Sequence, residues 1–181
     1  RDEIARRGPV RFLLHTEHHG DHIQGDYFFF PTTLVAHQLV REAYAASLGG
    51  PEAVCERVQQ MDPQGLPLIE NYQIRLPSIT FTQRLSLYVD EHTFELIHLP
   101  GHTPGQTAIF VPQERVVFTG DNVVYQRQPF LFQCQIFDWI ESLKRLGELE
   151  VDYIVPGHGD VCNRSYLPEF IGFLEDWIAA V

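Results

Sequence analysis

The stretch HTEHHGDHIQGD, residues 15–26, gathers four histidines, two aspartates and one glutamate into twelve residues. Within it Glu17, His19, Asp21 and His22 follow the pattern ExHxDH. Alternate residues of an extended segment point the same way, so Glu17, His19 and Asp21 could converge, with His22 at the start of the next turn. Three further candidates lie later in the chain: His102 in LPGHTPG, Asp121 in FTGDN and His158 in VPGHGD. Each follows a short apolar run and sits beside glycine, whose lack of a side chain lets ligands approach a shared ion closely. A set made only of imidazole and carboxylate suits zinc, and its oxygen content also admits iron or manganese.

These residues need a scaffold that brings four separate loops together. VRFLLH reads as a short apolar strand running directly into the histidine-rich stretch, which is then a loop at the strand's C-terminal end. TTLVAH is a second strand, and QLVREAYAAS and EAVCERVQQM are helices. DEIARR before Gly8 reads as a helix end with glycine as the stop. Residues 62–78 carry Pro63, Pro67 and Pro77 and read mostly as loop. ITFTQRLSLYV and TFELIHL are strands, and QTAIFVP and RVVFTG are two more around a Gln113–Glu114 turn. IFDWIESLKRLGEL has helical spacing, with Trp139, Leu143 and Leu146 as its core stripe. YIVPGHG is a strand ending in a glycine loop, and LPEFIGFLEDWIAA is the last helix. Strands alternating with helices place the chain in the α/β class, with candidate ligands at the strand ends.

TEHHGDH, GHTPG, TGD and PGHG, in this order, resemble the metallo-β-lactamase superfamily. The resemblance runs over roughly residues 9–160. It implies an αββα sandwich with two metals at one edge of the sheets. By motif, one metal would take Glu17, His19 and His102, the other Asp21, His22 and His158, with Asp121 as the bridge. Glu17 departs from the pattern, where the family usually has His. Either Glu17 is a ligand in a variant site, which is the reading adopted, or it turns away and leaves the first site weak, with His18 as a stand-in. The front of the chain departs too, because the family normally has several strands and a helix ahead of this motif. The expectation is a partial domain over residues 1–181, lacking the N-terminal part of the first sheet. A homo-oligomer or a second chain would then complete the sandwich.

Two cations held ~3.5–4 Å apart can carry a bridging hydroxide at neutral pH, because they lower the pKa of bound water. The hydroxide attacks a carbonyl and the metals stabilise the oxyanion. Asp21 orients the nucleophile, and no serine or cysteine is needed. The expected protein is a dinuclear metallo-hydrolase of a small ester, thioester, lactone or amide. A β-lactamase with a variant first site is one alternative. A non-catalytic binding module of the same fold is another, and metal content separates it from an enzyme. Glyoxalase II-like members are set aside because the chain ends soon after PGHG, without their extra helical region. Lactonase-like and polyketide-cyclase-like members stay open.

Composition narrows the partners. A formal net charge of −11 argues against nucleic acid and against an anionic membrane surface, leaving a small molecule as the expected substrate. Cys55, Cys134 and Cys162 are widely spaced and odd in number, which favours a reducing, cytoplasmic setting. No apolar run reaches the ~18 residues that span a bilayer, and no signal peptide is visible. The remaining histidines have plainer readings. His15, at a strand end, is structural or supports the ligands, and His37, His92 and His98 are surface or hydrogen-bonded residues. Cys162 is a small buried residue. Tyr125, Gln126 and Arg127 either line the pocket mouth or decorate a surface loop.

Overall fold

The structure is a computed structural model that describes residues 4, 6, 8–47 and 50–180. Strands β1 (Phe12–Leu14), β2 (Thr33–His37) and β3 (Ile79–Phe81) pair in parallel as one sheet. Strands β4 (Arg84–Val89), β5 (His92–His98), β6 (Thr107–Val111), β7 (Val116–Val124) and β8 (Tyr153–His158) form the second, in chain order. The pairs from β4 to β7 are antiparallel, and β8 runs parallel to β7. The helices are α1 (Gly20–Ile23), α2 (Gln38–Ser47), α3 (Gly50–Met61), α4 (Ile136–Gly147) and α5 (Leu167–Ala180). None of the described helices is long and apolar enough to cross a membrane.

Strand alternation sorts the core into layers. Leu96 and Ile109 meet Val35 and Phe81 between the two sheets. Their chain neighbours Ile97, Ala108 and Phe110 face the other way, onto Trp139, Leu143 and Leu146 of α4 and Phe170 and Leu174 of α5. A strand buried on both faces reads as one apolar run, which is why TAIFV of β6 has no polar side after its threonine. The α4 stripe recurs at helical spacing. Truncating fully buried Leu143 to alanine would cost about 2–5 kcal/mol. On the other side α3 packs through Val54 against Ile69 and Tyr72.

The sequence reading differs from the structure in three places. Residues 79–89 are not one strand, because the chain bends at Thr82–Gln83 and passes from the first sheet to the second. There the Thr82 carbonyl accepts from His37 Nε2 at 2.7 Å, and the Gln83 carbonyl accepts from the His98 amide at 2.9 Å. Residues 62–78 contain 3-10 turns over Pro63–Ile69. β7 does not stop before Asp121 but runs on to Val124, with its register against β8 shifted on both sides of Gly120. The helix end expected over residues 2–7 falls largely outside the described residues.

Candidate metal centre

The loop after β1 carries Glu17 and His19, with His19 in extended backbone, and the chain then turns into α1 at Gly20. This breaks the alternation expected through Asp21. Asp21 and His22 sit on the short helix and face a different group. Glu17, His19 and His102 form one triad, and Asp21, His22 and His158 another. Within each, the potential ligand atoms lie within 4.8 Å of one another, and Glu17, His22 and Asp121 make a third such group. His18 belongs to none of them; its ring lies 4.7 Å from that of His19, and burial lowers its pKa.

The spacings are those of a coordination shell. Donors at ~2.0–2.1 Å from a tetrahedral ion are roughly 3.3 Å apart. In the first triad His19 Nδ1 lies 2.6 Å from Glu17 Oε2 and 3.1 Å from His102 Nε2, and His102 Nε2 is 3.4 Å from Glu17 Oε2. In the second, Asp21 Oδ2 lies 3.5 Å from His22 Nε2 and 3.2 Å from His158 Nε2. Asp121 reaches both sets: Oδ1 is 3.3 Å from His22 Nε2, and Oδ2 is 3.6 Å from His102 Nε2 and 3.5 Å from His158 Nε2. His22 Nε2 and Asp121 Oδ1 are buried and face each other without a hydrogen bond to any described group. Buried polar atoms left without hydrogen bonds are costly, so the pair fits a site built for cations. The backbone leaves room for Asp121 because residue 157 is glycine, where a Cβ would stand 1.9 Å from Asp121 Oδ1.

Glu17 is fully buried, and its two oxygens have different duties. Oε1 accepts from Gln106 Nε2 at 3.0 Å and from the Asp121 amide at 2.9 Å, while Oε2 faces His19 and His102. Burial pushes the carboxyl pKa up, but the bonds from His102 and His19 and the charge of His22 outweigh it and hold the group well below the carboxylate range. His22 responds in the opposite sense. Burial opposes its charge, yet the contact with Asp121 and the charges of Glu17 and Asp21 raise it to about 9. His19 is raised by its bond to Glu17.

The residues that hold the ligands were not singled out from the sequence. Gln106 is fully buried and links Glu17 to the Thr119 carbonyl at 3.1 Å, while its own oxygen accepts from Thr103 Oγ1. Asn122 accepts from the His102 amide at 2.9 Å and donates to the Leu99 carbonyl at 2.7 Å. The Trp139 indole donates to the Asn122 carbonyl at 2.9 Å, and its ring stands edge-on to His102 at 5.5 Å. Thus Trp139 is core, as expected, and also braces a candidate ligand. The available signal was a polar residue flanking each motif, Gln106 after GHTPG and Asn122 after GD. Gln133 Oε1 lies 3.4 Å from His19 Nε2, the nitrogen turned away from the centre.

The other histidines have structural roles. His15 faces Asp26 at 3.0 Å in a buried pair. His37 stacks on His98 at 4.0 Å, and His98 Nε2 donates to the Pro104 carbonyl. His92 contacts Glu114 at 2.8 Å. Cys162 is half-buried against the α4–α5 core. A cavity of about 730 Å³ opens over the centre, lined by His19, Asp21, His102, Asp121 and His158 together with Arg57, Arg127 and Phe130. Of the ambiguous trio, Arg127 lines it, whereas Tyr125 packs on Tyr166. A larger cavity, about 1070 Å³, lies against Phe28, Phe30, Leu68 and Arg75, away from the ligands.

Comparison with known proteins bears on the fold and the family. Residues 4–158 match the Metallo-beta-lactamase superfamily. The chain is 31% identical over 181 residues to 2,4-dinitroanisole O-demethylase subunit alpha of Nocardioides sp. (strain JS1661), covering 96% of this chain and 47% of that protein. It is 28% identical over 161 residues to hydroxyacylglutathione hydrolase of Bartonella quintana (strain Toulouse), covering 89% of this chain and 51% of that one. The chain therefore spans about half the length of these relatives. The hydroxyacylglutathione hydrolase match also removes the force of the length argument against glyoxalase II-like members. Among solved structures, a metallo-beta-lactamase from Pontibacter korlensis superposes with a TM-score of 0.71 at 19% identity, over 94% of this chain and 71% of that one. With the fold, the ordered motifs and the match over residues 4–158 in agreement, this chain belongs to the metallo-β-lactamase superfamily.

Proposed function

We propose that the protein is a hydrolase that holds two divalent ions, one on Glu17, His19 and His102 and one on Asp21, His22 and His158, with Asp121 between them. The observation that carries the reading is the pair of ligand triads sharing Asp121 at the floor of one cavity. Bound there, the ions would activate water and stabilise charge developing on a carbonyl oxygen. Zinc suits the histidine-rich set best, and the three carboxylates also suit iron or manganese. Asp21, exposed at the cavity wall, would accept a proton from the attacking water and orient it. Gln106 and the Asp121 amide hold Glu17, and Asn122 and Trp139 hold His102, so the ligands are set before any ion arrives. The substrate is a small ester, thioester, lactone or amide. The hydroxyacylglutathione hydrolase relatives weight the thioester, and the O-demethylase relative adds dinitroanisole to the compounds worth testing. The three cysteines remain unpaired, which supports a reducing, cytoplasmic setting.

The test is elemental analysis after supplementation with zinc, iron and manganese, followed by hydrolysis assays across those substrates with and without a chelator. Bound metal and chelator-sensitive turnover are expected. Protein that stays free of metal in all three media would refute the reading and leave a binding module of the same fold.

A further inference from the structure

Two arginines line the cavity over the metal centre, and the proposed activity gives neither a role. Arg57 comes from α3 and Arg127 from the turn after β7. Both are exposed, and among the described residues neither has an ion pair or hydrogen bond. The sequence supplies no easy partner. Positions 53, 54, 60 and 61, one helical turn from Arg57, are Ala, Val, Gln and Met, and Arg127 lies between Gln126 and Gln128. In a chain of net charge −11 with 24 acidic residues, two unpaired guanidinium groups facing one cavity stand out.

The turn that carries Arg127 is built to a fixed shape. Gln126 has φ 51, a left-handed conformation that side-chain-bearing residues seldom adopt. Its amide donates to the Tyr166 hydroxyl at 3.1 Å, which donates to the Val124 carbonyl at 3.0 Å, and the Tyr125 amide donates to the His158 carbonyl at 2.9 Å. The last bond ties the turn to the strand end that carries a candidate ligand. Phe130, 59% exposed, forms an apolar wall of the same cavity, with its ring 6.4 Å from that of His19.

Resting on the hydrolase reading, we infer that Arg57 and Arg127 select a substrate bearing an oxyanionic group, a carboxylate or phosphate, whose apolar part lies along Phe130. Guanidinium groups present paired N–H donors matched to such oxygens. With two dications against the three carboxylates Glu17, Asp21 and Asp121, the loaded centre no longer repels an anion, and the two arginines set the sign of the cavity. About 730 Å³ is the size of a small-molecule site.

The test uses metal-loaded protein and two readouts. Calorimetric titration compares phenylacetate, phenyl phosphate and neutral phenylacetamide on wild type, Arg57→Met and Arg127→Met. Hydrolysis compares a nitrophenyl ester ending in a carboxylate with its uncharged counterpart of equal length. A charged hydrogen bond is worth about 1.5–3 kcal/mol, so each variant should bind the preferred anion roughly tenfold to a hundredfold more weakly, with phenylacetamide unchanged. The two anions tell which oxyanion is preferred. Both arginines are exposed, so melting temperatures should match wild type. Anion binding equal in wild type and both variants would overturn the inference, since the anion would then sit on the metals alone. Hydrolysis without preference for the charged ester would also overturn it while leaving the hydrolase reading intact. Arginine-dependent binding without hydrolysis of any ester would uphold the clamp and count against the hydrolase.

Discussion

Replacing Glu17 separates two roles that meet in one carboxylate. Its Oε1 is committed to the protein, accepting from Gln106 Nε2 and from the Asp121 amide, while Oε2 is turned to His19 and His102. In Glu17→Ala both bonds vanish. Gln106 keeps its bond to the Thr119 carbonyl, but the buried Asp121 amide is left without an acceptor. Hydrogen bonds to a charged group are worth about 1.5–3 kcal/mol each, and since one donor has a fallback, the metal-free variant should lose about 3 kcal/mol. Glu17→Gln keeps an oxygen where Oε1 stands and should lose about 1 kcal/mol. As ligands, the two variants should behave alike, because an amide is a poor substitute for a carboxylate, and each should hold one ion fewer than wild type. The measurements are urea denaturation of the metal-free proteins and metal stoichiometry of the loaded ones. Glu17→His should keep the ion of the first site and shift it toward zinc. If Glu17→Ala retains two ions and unfolds at the wild-type urea concentration, Glu17 is a bystander and the first-site assignment fails.

Asp121→Ala should weaken both ions together, since its oxygens face His22 on one side and His102 and His158 on the other; a titration showing two full-affinity sites would refute the bridge. Against burial, Asp121, Glu17 and Asp21 push His22 up to about 9 in the metal-free protein, so an ion would have to displace a proton at neutral pH; this charge favours the folded metal-free chain below the unfolded pKa near 6.5 and its benefit is lost as pH rises through about 9. Apparent metal affinity should therefore rise with pH from 7 to 9, up to tenfold per unit, and a flat profile would remove the proton from His22. Trp139→Phe deletes the donor to the Asn122 carbonyl at a cost of about 1–3 kcal/mol, and should loosen the ion on His102 more than the one on His158, as read by competition with a chelator.

The parts of the fold that follow local rules could be read from the sequence. The helix over Leu167–Ala180 and the α4 stripe of Trp139, Leu143 and Leu146 follow from spacing, because an amphipathic pattern constrains its own helix. The bend at Thr82–Gln83 could not be read, since ITFTQRLSLYV is uniformly good strand sequence and its division depends on Val35–His37 and Phe94–Ile97 competing for its two halves. The same distinction holds at the site. Residue types and order pointed to the seven candidate ligands, and the structure brings all seven together. The direction of Asp21 could not be read, because α1 begins one residue earlier and ends the alternation. The fixing of Gln106 onto Glu17 joins residues 89 positions apart, a separation no local pattern encodes.

That last pairing would let a carboxylate serve at a position where imidazole is the usual ligand. A neutral imidazole has one lone pair. If it is given to a metal, nothing remains to accept from Gln106 Nε2 or from the Asp121 amide, both buried at the base of the site. A carboxylate has two oxygens, and here Oε1 links Gln106, just ahead of β6, to the Asp121 amide of β7 while Oε2 stays turned to His19 and His102. Glu17 and Gln106 thus act as a matched pair. Restoring histidine at 17 alone leaves the second N–H of the Gln106 amide and the Asp121 backbone amide without an acceptor, whereas Glu17→His combined with Gln106→Leu removes the first of these and should recover part of the loss. Measured as a double-mutant cycle, coupling is expected between the two positions, and additive effects would mean that Gln106 does not hold Glu17.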